Sequence, residues 1–171
     1  MRIYLVGYMA SGKSNLGRIL ATELNFRFLD IDSMFEERYR VTIMDFFEKY
    51  GEEQFRMMEK AILHETAGFD ETVIATGGGT PCFFDNMDFI NNSGTSVYLR
   101  WEVPGLTERL RHVRKKRPIL RSVEPENLEN AVREHLKQRS VYYEKAHFTV
   151  DGTKPDAGKL AEWILRRPGN G

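Results

Sequence analysis

The octapeptide Gly7-Tyr8-Met9-Ala10-Ser11-Gly12-Lys13-Ser14 completes the pattern G-x-x-x-x-G-K-[ST], and its surroundings fix its place in a fold. Before it, Arg2-Ile3-Tyr4-Leu5-Val6 is a short β-branched and aromatic run of the kind that forms a buried strand. After it, Leu16, Ile19, Leu20 and Leu24 recur at helical spacing, so the loop opens a helix whose N-terminus faces an anion. Gly7 and Gly12 let the backbone wrap closely enough for N–H groups to face phosphate oxygens. Lys13 supplies a mobile charge for the β- and γ-phosphates, and Ser14 offers a hydroxyl to Mg²⁺. The residues expected to hold the nucleotide phosphates are Ala10, Ser11, Gly12, Lys13, Ser14 and Asn15. A chance match in a glycine-containing turn would lack the strand and helix on either side.

The rest of the chain continues the alternation. Strands are expected at 26–30, 72–75, 96–99 and 148–150, with helical patterns at 52–66, 103–114, 127–143 and 157–166. Thr42 with Asp45 reads as a capping box opening a helix that Gly51 breaks. Strands separated by helices predict an α/β fold, a parallel sheet covered on both faces. A length of 171 residues predicts one domain, over 1–166, with a flexible tail at 167–171. Lys plus Arg and Asp plus Glu are both 25, so the chain lacks the positive excess of most nucleic-acid binders. Cys82 is the sole cysteine and cannot form an internal disulfide. The first strand begins at residue 2, leaving no room for a signal peptide, and no apolar run is long enough for a bilayer. These features point to a cytoplasmic protein with no membrane partner.

In open parallel sheets, ligands sit beyond the carboxyl ends of the strands. The octapeptide, Asp30-Ile31-Asp32 and Gly77-Gly78-Gly79 all follow strands, so one cleft collects them. One carboxylate of the Asp30/Asp32 pair suffices, with Ser14, to hold Mg²⁺. The other is then available to orient a substrate hydroxyl or take its proton. An aspartate at a strand end also serves as a helix cap, here for a helix starting near Met34, and the sequence leaves each residue's duty open. Three consecutive glycines cost conformational entropy, so they predict close backbone approach or unusual dihedrals. Arg56 and Arg139 stand isolated in helical stretches, and spacing alone does not separate them from solvent-facing arginines. Arg109, Arg111, Arg114, Lys115, Lys116 and Arg117 form a basic run ending at Pro118. It reads as a solvated face, a nucleic-acid patch or a mobile lid; the octapeptide and the neutral net charge favour the lid.

Taken together, Gly7–Ser14, Asp30-Ile31-Asp32, Gly51-Glu52-Glu53-Gln54-Phe55-Arg56, Thr76–Thr80, Arg117-Pro118-Ile119-Leu120 and Arg139-Ser140-Val141-Tyr142-Tyr143 resemble the shikimate kinase family. The resemblance runs from about residue 1 to about residue 160. It implies a P-loop fold of the nucleoside-monophosphate-kinase type, with a five-stranded parallel sheet in the order 2-3-1-4-5. It implies transfer of the ATP γ-phosphoryl group to the 3-hydroxyl of shikimate, in the route to aromatic amino acids. By the family pattern, Lys13, Asp32 and Arg117 are the catalytic residues, and Asp32, Arg56, Gly77, Gly78, Gly79 and Arg139 hold the acceptor. Arg117 approaches ATP from a lid over about 111–124, and the acceptor region spans about 31–62. Arg109 and Lys154 are candidates for the surroundings of the adenine. The strand-three end carries no aspartate, a feature shared by the family, which uses the strand-two aspartate for the metal; the resemblance thus implies Ser14 and Asp30 as the Mg²⁺ residues. The expected partners are shikimate and ATP, with no nucleic acid, in a monomer.

Two P-loop positions depart from the family pattern: Ala10 stands where Gly is more frequent, and Asn15 where Thr is. An alanine at 10 predicts negative φ there, which bears on nucleotide affinity rather than on the reaction. Gluconate kinase and nucleoside-monophosphate kinase are the competing readings within the kinase class. A nucleotide switch or nucleic-acid-dependent ATPase is the reading from another class.

Overall fold

A computed structural model describes residues 1–111 and 118–166. Its five strands are β1 (Arg2–Val6), β2 (Arg27–Asp30), β3 (Thr72–Ala75), β4 (Thr95–Arg100) and β5 (Phe148–Asp151). All pair in parallel, in the order β2-β3-β1-β4-β5, with Ile3 opposite both Val73 and Thr95. The expected α/β sheet and its order are therefore present, and each strand lies within a residue of its predicted limits.

Alternation along β1 explains the two cores. Ile3 and Leu5 face one side, where they meet Leu16, Leu20 and Ala21 of α1 (Lys13–Leu24) and Leu160 and Ile164 of α7 (Ala157–Leu165). Tyr4 and Val6 face the other side, against α2 (Ile31–Tyr39), α3 (Ile43–Glu65), α5 (Val103–Arg111) and α6 (Leu128–Tyr143). Ile19 stays 46% exposed, because Gly17 and Ala21, rather than Ile19, complete the buried stripe of α1. Gly17 is required there: a Cβ would lie 2.4 Å from the Phe28 ring.

The α2–α3 region forms the wall that matters most for the site. Asp30 caps α2 through Oδ1, accepting from the N–H groups of Asp32 (3.0 Å) and Ser33 (3.4 Å). The helix thus begins at Ile31, three residues before the expected start, because the cap is the strand's own last residue. Thr42 accepts from the Asp45 N–H at 3.1 Å, the first bond of the predicted capping box, while the Asp45 carboxylate accepts from the Thr42 hydroxyl at 2.7 Å. Gly51, at φ 80 and ψ 173, breaks α3 into two helical pieces across a kink.

One helix escapes the sequence patterns: α4 (Asn86–Ser93), between β3 and β4. It is eight residues long and mostly polar, and only Asn86, Met87 and Ile90 are buried, which is too short a stripe to declare a period. No helix among the described residues is long and apolar enough to cross a membrane.

Candidate active site

The octapeptide lies between β1 and α1, with Gly7 at φ 144 and Gly12 at φ 96. Gly12 is the N-cap of α1, so Lys13 begins the helix and the first free N–H groups converge on the loop. Lys13 is buried, and its Nζ donates to the carbonyls of Gly7 and Tyr8, both at 2.9 Å. Ala10 adopts φ 62, which corrects the expectation of a negative φ. The loop accepts the cost of a left-handed alanine because its carbonyl is taken by Arg109 Nε at 2.5 Å. A cavity of about 190 Å³ lies over this loop, bordered by Ala10, Gly12, Lys13, Ser14, Asn15 and Arg109. Ser11 is buried behind it.

Asp30 and Ser14 meet at this cavity. The Ser14 hydroxyl donates to Asp30 Oδ2 at 2.5 Å, while Oδ1 of the same carboxylate caps α2. The alternatives that the sequence left open for Asp30, cap or ligand, are compatible: one oxygen serves each. Two hard oxygens at one point beside a phosphate cavity suit Mg²⁺, which keeps most of its waters and needs few protein ligands. Asp32, on the first turn of α2, is half-buried and borders the same space.

A second cavity, of about 610 Å³, adjoins the first, and Met9, Ser14, Asp30, Asp32 and Gly78 line both. Arg56 from α3 and Arg139 from α6 enter it from different sides, each only 5% exposed. Both arginines that spacing could not distinguish from surface residues thus converge on one space. The Arg56 guanidinium is held by Glu59 (2.8 Å) and Glu52 (2.9 Å) and lies over the Phe83 ring at 4.2 Å. Burial pulls its pKa down, but the two carboxylates more than offset this and the net shift is upward. Glu59 also accepts from the Thr80 hydroxyl at 2.6 Å. Cation and carboxylate are therefore fixed before any substrate arrives.

The glycine triplet forms a floor between these groups. A Cβ on Gly79 would lie 2.4–2.6 Å from the Arg56 guanidinium, and one on Gly78 2.8 Å from the Met9 nitrogen. Of the two reasons offered for the triplet, close approach is the one used, since none of the three has positive φ. The floor is tied down by the buried Tyr143 hydroxyl, which donates to the Gly78 carbonyl.

Behind Arg139, the Tyr8 hydroxyl meets His135 Nδ1 at 2.9 Å. Burial, and then the charges of Arg139 and Arg56, push His135 down to about 4. Burial pushes Tyr8 up to about 12 and the Cys82 thiol up to about 11. His135, Tyr8 and Cys82 are thus uncharged beside Arg139, whereas the charge of Arg56 is shared with Glu59 and Glu52.

Lys154 follows β5 on an exposed turn and borders neither cavity. Arg117, with residues 112–116 of the expected lid, falls outside the described residues, as does the tail at 167–171; of the described part of the lid, Pro118–Leu120 form a 3-10 turn and Ile119 lines the larger cavity. Sequence reasoning did not find Glu59 or Trp101, whose indole donates to the Ser11 carbonyl at 2.9 Å, and it quoted Tyr143 within the Arg139–Tyr143 segment without giving it a role. The only signal for Glu59 was its helical spacing from Arg56; nothing marked Trp101.

Comparison with known proteins agrees with this geometry. The family model described as shikimate kinase matches residues 9–167. A shikimate kinase from Parabacteroides distasonis is 44% identical over 153 residues, covering 90% of this chain and 88% of the relative. The crystal structure of the Acinetobacter baumannii shikimate kinase in complex with shikimate superposes with a TM-score of 0.86 at 39% identity, over 96% of this chain and 90% of that one. The shikimate kinase structure from Bacteroides thetaiotaomicron gives a TM-score of 0.83 at 37% identity, over 97% and 96% of the two chains.

Proposed function

This chain belongs to the shikimate kinase family and phosphorylates shikimate with ATP, and we propose that the two adjoining cavities divide that reaction between them. The smaller takes the triphosphate and the larger takes shikimate. The observation that carries this reading is their common wall, where Ser14, Asp30 and Asp32 meet. A donor and an acceptor bound on either side of that wall would have their reacting atoms adjacent, which is most of what phosphoryl transfer requires.

Arg56 and Arg139 grip the shikimate carboxylate through charge-assisted hydrogen bonds, and the 77–79 backbone supports the ring. This directs the 3-hydroxyl towards Asp32. As the hydroxyl oxygen bonds to the γ-phosphorus, its proton passes to the Asp32 carboxylate and the bond to the β-phosphate oxygen breaks, releasing ADP. Lys13 leaves the loop carbonyls to offset charge on the phosphates. Ser14 and Asp30 hold Mg²⁺, which when bound neutralises phosphate charge. Arg117 is assigned to the γ-phosphoryl group from its Arg-Pro-Ile-Leu motif, Arg109 to the nucleotide from its position at the smaller cavity, and Lys154, outside both cavities, to the surroundings of the adenine.

Asp32→Asn tests the assignment. Loss of a positioned base lowers kcat by about 10²–10⁴-fold while ATP binding persists. A variant with nearly wild-type kcat would contradict the role of Asp32.

A further inference from the structure

Trp101 stands just after β4 and borders neither cavity, yet it touches the phosphate loop from behind. Its Nε1–H donates to the Ser11 carbonyl at 2.9 Å. Because the peptide unit is planar and trans, fixing that carbonyl turns the Gly12 N–H to the side away from the indole. Gly12 borders the phosphate cavity.

The indole is itself held in a fitted slot. A Cβ on Gly152 would lie 1.9 Å from Nε1, and one on Gly105 would lie 2.8 Å from the six-membered ring. On Trp101 stacks the Arg109 guanidinium, 4.9 Å from the ring centroid, whose Nε takes the neighbouring Ala10 carbonyl. Two consecutive loop carbonyls are thus held by donors from the segment after β4, at the point where Ala10 carries a φ that alanine disfavours. Released, Ala10 would relax towards negative φ and take the adjoining N–H groups with it.

We propose that Trp101 is a positioning residue for the nucleotide, its indole N–H holding the phosphate loop in the anion-binding conformation. The proposal rests on the reading of residues 7–14 as the triphosphate site. A purely space-filling indole would leave the same slot but make no demand on its N–H.

Trp101→Phe keeps an aromatic ring in the slot and removes the donor. Steady-state kinetics and ATP titration should show the Kd and KM for ATP rising about three- to tenfold, the effect of one lost hydrogen bond. The KM for shikimate and kcat should stay within about twofold. Adding Ala10→Gly should recover part of the ATP affinity, since glycine tolerates positive φ without support. Unchanged ATP affinity, or equal rises in both KM values with a lowered Tm, would overturn the proposal. A wild-type protein that bound no ATP would instead overturn the loop assignment, and this proposal with it. Should Trp101→Phe fail to fold, the wild-type protein decides, because its two tryptophans provide an internal control. The Trp101 indole proton should exchange with solvent far more slowly than that of exposed Trp163 and slow further with ADP. Exchange as fast as that of Trp163 would overturn the proposal.

Discussion

Arg56 and Glu59 form an ion pair buried on both sides, with side chains 6% and 2% exposed. Removing one partner of such a pair leaves a stranded charge and costs about 3–5 kcal/mol. Arg56→Ala is therefore expected to lose stability as well as turnover, seen as a lower urea midpoint, so the fold does not stay intact as a simple clamp would suggest. Arg139 has no carboxylate partner among the described residues, and it makes the cleaner test. Arg139→Ala should lower kcat/KM for shikimate at least about thirtyfold, the equivalent of about 2 kcal/mol, with KM for ATP unchanged. Arg139→Lys should recover little, because an ammonium cannot reproduce the paired donors. A variant with near-normal kcat/KM would remove Arg139 from the carboxylate site. The sequence could name these arginines only through resemblance: period and composition do not reveal which way a lone cation points. Ala10 illustrates the converse. Its identity predicted negative φ, and a tertiary contact from Arg109, 99 positions away, reversed it.

At the scale of elements, α3 brings two sets of cavity residues to one place by bending. Ile43 and Phe47 lie before Gly51, Phe55 and Arg56 after it, and all four line the larger cavity. Gly51 has no atom within 4 Å of a prospective Cβ, so its requirement is purely one of backbone conformation. Its φ of 80 with ψ of 173 lies in a region open to glycine almost alone, and Gly51→Ala should cost about 1–3 kcal/mol. The same change should raise KM for shikimate, since the two halves of the wall would meet at another angle. Gly68 also has open space around its Cβ but lacks positive φ, so Gly68→Ala serves as the control and should leave both urea midpoint and KM nearly unchanged. Equal effects of the two substitutions would contradict the account of the bend. The break at Gly51, the capping box and the strands were readable because each is declared by local residues. α4 was not, because its burial is decided by what β3 and β4 leave uncovered rather than by its own pattern.

For the whole molecule, the burial of a histidine beside the arginines of the acceptor cavity has a consequence for stability. His135 is held near 4 in the folded protein by burial and by Arg139 and Arg56, against an ordinary 6.5. The unfolded chain therefore binds the extra proton first, so stability is greatest above 6.5 and falls as pH drops towards 4. Urea unfolding at pH 7 and pH 5 should show this loss, and His135→Gln should reduce it; an unaltered difference would exclude His135 as a source. The chain's central property remains the meeting of a phosphate loop and an acceptor cavity bearing two buried arginines at Ser14, Asp30 and Asp32. An ADP-coupled assay of the wild-type protein with ATP, offering shikimate, gluconate and nucleoside monophosphates in turn, tests it most directly. The account predicts rapid turnover of shikimate to a 3-phosphate and negligible turnover of the others. Strong turnover of gluconate or a nucleotide, with none of shikimate, would contradict it.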